Sequence, residues 1–205
     1  GGGGRFDPGM LYYAPQIWCS DNTDAIERLR IHYGTSFGYP MSSVSAHVSV
    51  CPNEQNGRVT PLKTRGICAM QGAFGYELDL CKMSEEEKEE VKEQVKTFKK
   101  HYKLFQFGDY YRISSPFENN DFTAWEYADR EGKEACLSVV YTDLHGNPAP
   151  HVVKLKGLCR EKNYEVSRDG EPLGEFSGAA LMNGGLLLPI PKENYDSCQF
   201  YVCAK

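Results

Sequence analysis

The chain has 205 residues, of which 40% are hydrophobic and 25% are charged, and it carries a formal net charge of −5. This length and composition suit a soluble, globular protein with one domain or two small ones. The acidic balance, without a basic cluster beyond Lys99 and Lys100, argues against a nucleic-acid partner, and no segment is apolar over the length of a membrane span.

The first half of the chain alternates short apolar runs with helical patterns, which is typical of βα units and a parallel sheet. Three such units are predicted in chain order: strands at residues 16–19, 44–50 and 74–80, with helices at 24–33, at 61–71 and from 84 onward. Thr60 is the predicted cap of the second helix. Ser84 and Glu87 form a predicted capping box at the start of the third helix, which is the strongest in the chain.

Three βα units neither close a barrel nor cover both faces of an open sheet. The chain also begins with four glycines and without a Met. Glycine has the largest backbone entropy to lose on ordering, so this is a poor start for a natural domain. We therefore expect the chain to be the C-terminal part of a longer protein.

The pattern changes after about Lys103 to short β-rich runs that are separated by turn residues. Six strands are predicted, at residues 110–113, 123–128, 135–142, 151–156, 163–166 and 200–203. Turn signals lie between them at residues 143–148 and 167–170. This pattern predicts an antiparallel β-sandwich over residues 103–205, which follows an α/β domain over residues 1–102.

Eight cysteines are scattered along the chain without a C-x-x-C pair, and five histidines accompany them. This pattern indicates neither a zinc module nor a dense disulfide framework. Reduced and mostly buried thiols are expected, and they favour a cytoplasmic location.

A Gly-rich loop, an Arg, a Trp and an Asp near the first strand-to-helix junction form a candidate rim, since ligands bind at the C-terminal ends of parallel strands. The glycines either make a tight loop or leave room for a ligand to approach the backbone amides. Asp21 is either a helix cap or a functional carboxyl, beside which Trp18 could desolvate the acid or stack on a sugar ring. His47 is either a core histidine or a residue that lines the site.

Several motifs extend this interpretation. The first forty residues contain GGGGRFDPGMLYY, W-x-S-D-N-T-D-A-I-E-R-L and Y-G-T-S-F-G-Y-P, and later runs include A-H-V-S at 46–49, G-Y-E-L-D-L at 75–80 and G-D-Y-Y-R at 108–112. Together they resemble glycoside hydrolase family 36, the bacterial-type α-galactosidases, over nearly the whole chain.

The resemblance implies the last three units of a (β/α)8 barrel followed by the C-terminal β-sandwich of the family. It implies retaining hydrolysis of terminal α-galactosyl residues in melibiose-type or raffinose-type oligosaccharides, by two carboxylates about 5 Å apart and without a metal or an organic cofactor. The family's acid/base is the Asp of the W-x-S-D motif, here Asp21. The nucleophile belongs to a K-W-D-x-N motif that does not occur in this chain, so this chain alone is predicted to be inactive.

Further site residues follow from the same resemblance. By similarity, Gly2 lies in a loop that contacts galactose. Asp21 and, from its position beside Asp21, Trp18 complete the predicted substrate-binding set. Arg5 and Asp7 are expected to brace the loop as an ion pair. The full-length enzyme is expected to be a homo-oligomer.

Two alternatives stay open. The chain could be a non-catalytic carbohydrate-binding or oligomerisation module, in which exposed aromatics such as Trp125 and Tyr127 stack on sugar. It could also belong to a family member of different specificity, such as an α-N-acetylgalactosaminidase or a raffinose-type transglycosidase.

Overall fold

The computed structural model describes residues 7–118 and 121–205. The chain divides into two compact units, Gly1–Gln106 and Phe107–Lys205. Together they form a mixed fold of helices and strands that includes an antiparallel sheet.

The first unit is built of helices around a short parallel sheet. Its helices are α1 Ala25–Thr35, α2 Leu62–Ala69, α3 Glu85–Lys100 and α4 Tyr102–Phe107, and its strands are β1 Ser45–Ser49 and β2 Ala73–Glu77. Single 3₁₀ turns lie at Pro8–Tyr12, Met41–Ser43 and Leu80–Lys82. Both strands run parallel, and Ile17 makes a further parallel bridge to Val44 beside β1. The predicted first strand is thus reduced to one bridge.

Local signals account for most of the helix starts in this unit. The capping box of Ser84 and Glu87 is present at the start of α3, as predicted. The carboxylate of Asp24 accepts the backbone N–H of Glu27 at 2.9 Å and caps α1. The predicted Thr60 cap is wrong, because α2 begins after Pro61 without a side-chain cap.

One apolar cluster of the first unit lies between the two parallel strands and α2. Its buried members are Ala46, Val48, Leu62 and Ala69. Gly72 leads into β2 at a point where a Cβ atom would lie 2.4 Å from the carbonyl oxygen of Val44. A side chain at this position would therefore separate the chain segments that form the parallel pair.

The second unit contains a six-stranded antiparallel sheet. Its strand order is β3-β4-β5-β10-β7-β8, with β3 Asp109–Ser114, β4 Phe122–Ala128, β5 Glu134–Tyr141, β7 Asn163–Arg168, β8 Glu171–Ser177 and β10 Ser197–Ala204. A separate antiparallel pair joins β6 Val152–Val153 to β9 Leu186–Leu187, and α5 spans Gly178–Asn183.

The core of this unit packs one face of the sheet against the segments that carry β6, α5 and β9. Leu137 and Phe200 from the sheet share one buried cluster with Leu155, Leu181 and Leu188. All five are at most 4% exposed. Burial on this scale makes the apolar contact between the two layers the main stabilising term of the unit.

Five of the six predicted strands of this half lie in the sheet, and the sixth is shortened to Val152–Val153. The sequence did not predict β8, β9 or α5. Pro172 and Gly174 in β8 are strand-breaking residues, but β8 is an edge strand, where proline is tolerated.

Trp125 and Tyr127 are not exposed, which corrects an expectation from the sequence. Each side chain is 2% exposed within β4. Neither ring can therefore offer a surface on which a sugar stacks.

Candidate active site

Asp21 lies in an exposed position on the loop that joins the Ile17 bridge to α1. Its Oδ1 atom accepts a hydrogen bond from the indole Nε1 of Trp18 at 3.0 Å. The capping role that the sequence also allowed for Asp21 belongs to Asp24. The Asp21 carboxyl therefore caps no helix and is exposed at the strand-to-helix junction.

The Trp18 ring contacts two planar polar groups, the imidazole of His47 and the guanidinium of Arg28. The ring of His47 stacks on it with 4.7 Å between centroids and 9° between planes. The guanidinium carbon of Arg28 lies 4.3 Å from the centroid of the Trp18 ring, within the range of a cation–π contact. His47 Nε2 also lies 3.2 Å from Glu77 Oε2, so residues of β1 and β2 support a residue of the loop.

Arg28 lies on the inward face of α1 and is 4% exposed. It donates hydrogen bonds to the carbonyl oxygens of Ser20 at 3.1 Å and Ser45 at 3.3 Å, and contacts Cys19 Sγ at 3.7 Å. Burial lowers the pKa of Arg28 and the nearby Cys19 opposes this, but a guanidinium stays protonated in proteins. Arg28 therefore places a fixed positive charge beside Trp18.

His47 is uncharged in the site at neutral pH. Burial lowers its pKa below the ordinary value, Glu77 opposes this shift, and the positive charge of Arg28 adds to it. Since a carboxylate accepts hydrogen bonds and cannot donate them, the neutral imidazole donates its Nε2–H to Glu77. Sequence reasoning left His47 as a possible liner of the site, and the structure brings it to Trp18.

The loop after β1 clamps the backbone around Asp21, which the sequence did not predict. Gln55 Nε2 donates to the Asp21 carbonyl oxygen at 2.8 Å, and Gln55 Oε1 accepts the Thr23 N–H at 3.1 Å. The buried Asn53 donates from Nδ2 to Thr23 Oγ1 at 3.0 Å. A polar amide run directly after a strand is the sequence signal for such a clamp, but its target is set by the tertiary fold.

A cleft of about 520 Å³ opens beside this assembly at the ends of β1 and β2. His47, Ser49 and Glu77 line it from the strands, and Thr23 lines it from the loop that carries Asp21. Its size is within the range of small-molecule sites.

The remaining predicted site residues lie toward the start of the chain. Gly2 and Arg5 lie outside the described residues. Asp7 is exposed, and its Oδ1 accepts the Gly9 N–H at 2.8 Å at the start of the first 3₁₀ turn. The ion pair between Arg5 and Asp7 therefore stays a prediction.

Three further observations concern the described part of the chain. Within residues 7–118 and 121–205, His, Cys, Asp and Glu side chains form no group of three or more that could hold a metal ion. In the same ranges, no helix combines the length and the apolarity needed to cross a membrane. All eight cysteines, each within those ranges, are free thiols.

Comparison with protein families gives two matches. Residues 1–108 match the Melibiase family, and residues 122–202 match the glycosyl hydrolase family 36 C-terminal domain. The chain therefore belongs to the melibiase family and carries the C-terminal domain of glycosyl hydrolase family 36.

Individual relatives agree with this assignment. The chain is 51% identical over 200 residues to the bifunctional α-galactosidase/sucrose kinase AgaSK of Mediterraneibacter gnavus, which covers 98% of this chain and 21% of that protein. It is 49% identical over 197 residues to the α-galactosidase AgaA of Geobacillus stearothermophilus, which covers 96% of this chain and 26% of that protein. The chain thus spans about a quarter of the length of these relatives.

Solved structures of AgaA variants in complex with raffinose and with stachyose match 99% of this chain. Each match has a TM-score of 0.93, with 46% and 47% sequence identity, and covers 28% of the solved chain.

Proposed function

We propose that this chain is part of a retaining, exo-acting α-galactosidase, in which Asp21 is the proton donor and general base. One observation carries the proposal: the Asp21 carboxyl is exposed beside the first parallel segment and bound to the Trp18 indole, while Asp24 takes the helix cap. Active-site groups of α/β folds lie in such loops after parallel strands.

The chemistry follows from the two oxygens of one carboxyl group. Asp21 Oδ1 accepts the indole N–H, so Oδ2 carries the proton to the glycosidic oxygen as the bond to the anomeric carbon breaks. A second carboxylate, supplied by the rest of the enzyme, forms the covalent galactosyl intermediate. Ionised Asp21 then removes a proton from water, which attacks the same carbon and releases galactose with its original anomeric configuration.

The architecture proposed for the parent protein agrees with the observed elements. The parallel run of Ile17, β1 and β2 supports the last three units of a (β/α)8 barrel over residues 1–102. The six-stranded sheet and its facing β6–β9 layer support a β-sandwich over residues 103–205. The structural matches at a TM-score of 0.93 strengthen both assignments.

The proposed substrates are α-galactoside oligosaccharides of the melibiose and raffinose type. The complexes of AgaA with raffinose and stachyose support this choice. We also propose a cytoplasmic location, which the eight free thiols support, and a homo-oligomeric parent enzyme. The alternative of a sugar-binding module that uses Trp125 and Tyr127 has lost its basis, because both rings are buried.

The test uses the full-length enzyme that contains this chain. Hydrolysis of melibiose, followed by proton NMR, should first release α-galactose, and Asp21→Asn should lower kcat/KM by about 10²–10⁴-fold. Asp24→Asn is the matched control: asparagine keeps the helix cap and loses the ion pair with Arg58, so it should lower stability but leave kcat of the folded enzyme within about twofold. Release of β-galactose first, or normal melibiose hydrolysis by Asp21→Asn, would contradict the proposal.

A further inference from the structure

We propose that His47 is a positioning residue for Asp21 and acts through the ring plane of Trp18. The inference rests on the proposed role of Asp21 as proton donor. The contacts described for His47 are a stack on Trp18 and an Nε2 contact with Glu77, so its proposed effect on Asp21 is transmitted through Trp18.

The geometry of the indole makes its plane decisive. The Nε1–H bond lies in the plane of the ring, so the direction of the hydrogen bond to Asp21 Oδ1 follows the orientation of that plane. The ring of His47 stacks on the indole, with 4.7 Å between ring centroids and 9° between ring planes. This contact fixes the orientation of the indole plane. Any tilt of Trp18 would turn its N–H away from the carboxyl oxygen.

His47 is part of a β-strand, whereas the residues that it positions lie in a loop. His47 belongs to β1, where it is paired with Gly75 of β2, whereas Trp18 and Asp21 lie outside the helices and strands. Its side chain is 13% exposed, and its Nε2 is 3.2 Å from Glu77 Oε2. The parallel strands therefore set the orientation of a ring on a loop, as precise sites require.

Arg28 adds a second support that constrains the same ring. Its guanidinium lies 4.3 Å from the centre of the Trp18 ring and is anchored by the carbonyl oxygens of Ser20 and Ser45. The permanent positive charge of Arg28 also lowers the pKa of His47 and so favours the neutral imidazole. Arg28 and His47 therefore do not place two positive charges on the Trp18 ring.

The first experiment is performed on the full-length enzyme with ¹⁵N-labelled tryptophan and does not depend on activity. Trp18→Phe and Trp125→Phe each remove one indole N–H signal and so identify the signals of these two residues. His47→Ala should raise the rate of Trp18 indole exchange with water about tenfold, because the hydrogen bond to Asp21 is lost for much of the time. His47→Phe, which keeps a flat ring, should restore slow exchange, and the Trp125 signal is the internal reference.

If His47→Ala does not fold, His47→Leu replaces it, since leucine fills similar space without a ring plane. An exchange rate of the Trp18 indole that is unchanged in the folded alanine or leucine variant would overturn the inference. Fast exchange in His47→Phe as well would also overturn it, because the stacked plane would then have no role.

The second experiment measures the consequence in the full-length enzyme. His47→Ala should lower kcat for melibiose by about 10- to 100-fold with KM within about twofold, since only the orientation of the proton donor changes. His47→Phe should recover most of kcat. An inactive wild-type enzyme would refute the proposed function, whereas the exchange measurement would still decide the role of His47.

Discussion

Glu126 shows at the scale of one residue how burial controls ionisation. It lies in the middle of β4 and is 0% exposed. Its Oε2 accepts the Lys156 N–H at 2.9 Å, and among the described residues its Oε1 has no hydrogen-bond partner. Burial raises the pKa of Glu126 to about 8, and the contact with Lys156 opposes the shift. The carboxyl is therefore neutral in the folded protein at pH 7.

The raised pKa predicts a loss of stability as pH increases. An unfolded glutamate ionises near pH 4.3, so between about pH 4.3 and pH 8 the folded state binds the extra proton and the free energy of unfolding falls with pH. The total decrease from this group is on the order of 5 kcal/mol, from a pKa difference of about 3.7 at about 1.4 kcal/mol for each unit. Glu126→Gln keeps an acceptor for Lys156 and should remove this part of the decrease.

Urea unfolding of wild type and variant at pH 5 and pH 9 checks this prediction. Glu171→Gln, at an exposed glutamate of β8, is the matched control and should keep the wild-type pH dependence. An equal decrease in wild type and Glu126→Gln would show that Glu126 ionises normally.

The sequence predicted candidate site residues, but it could not decide which aspartate caps the helix. Asp21 and Asp24 are both capping types within four residues, and the choice between them depends on where the helix begins. The contact between Trp18 and His47 joins two segments 29 positions apart and leaves no trace in a single sequence. The burial of Arg28 could not be predicted from the sequence, because it depends on which face of α1 packs inward.

At the scale of the element, the start of α1 distinguishes the aspartate that caps the helix, Asp24, from the aspartate proposed as the proton donor, Asp21. Asp24 is 1% exposed, caps the helix at the Glu27 N–H and pairs with Arg58. Asp24→Ala should therefore destabilise the chain by about 2–3 kcal/mol, from the lost cap and the lost partner of a half-buried cation.

Asp21→Ala is the control for this measurement by urea or thermal unfolding. The Asp21 side chain is exposed and caps no helix, and its removal loses only an exposed hydrogen bond from Trp18, so Asp21→Ala should lower the free energy of unfolding by about 1 kcal/mol or less. A larger destabilisation by Asp21→Ala than by Asp24→Ala would reverse the two roles.

Elements with strong local signals were predictable, and those that depend on neighbours were not. The box of Ser84 and Glu87 lies within four residues and was found from the sequence. The sequence did not predict β8, because Pro172 and Gly174 disfavour a strand. The strand conformation of β8 depends on its pairing with β7. The Gln55 clamp is also non-local, because its partners lie 32 and 34 positions earlier in the chain.

At the scale of the whole molecule, the chain carries one of the two carboxylates that the proposed mechanism needs. The K-W-D-x-N motif implied for the nucleophile is absent from the sequence, and the chain spans about a quarter of its relatives. We therefore expect no turnover of an aryl α-galactoside by this chain alone, whereas the full-length enzyme should be active. Turnover by the chain that disappears in Asp21→Ala would contradict this.

The family was visible in the sequence because its motifs are dense in the first forty residues, and the family matches confirm that assignment. The arrangement of the second unit was harder to predict. In its sheet, the last strand, β10, lies between β5 and β7. This order depends on pairing between strands that are far apart in the sequence, so local patterns do not predict it.

The most direct measurement for Asp21 uses the full-length Asp21→Ala enzyme, an activated aryl α-galactoside and azide. The good leaving group departs without a proton donor, and azide then attacks the galactosyl intermediate in place of activated water. The predicted product is α-galactosyl azide, formed with rescue of turnover. Formation of β-galactosyl azide would identify Asp21 as the nucleophile and contradict its role as proton donor.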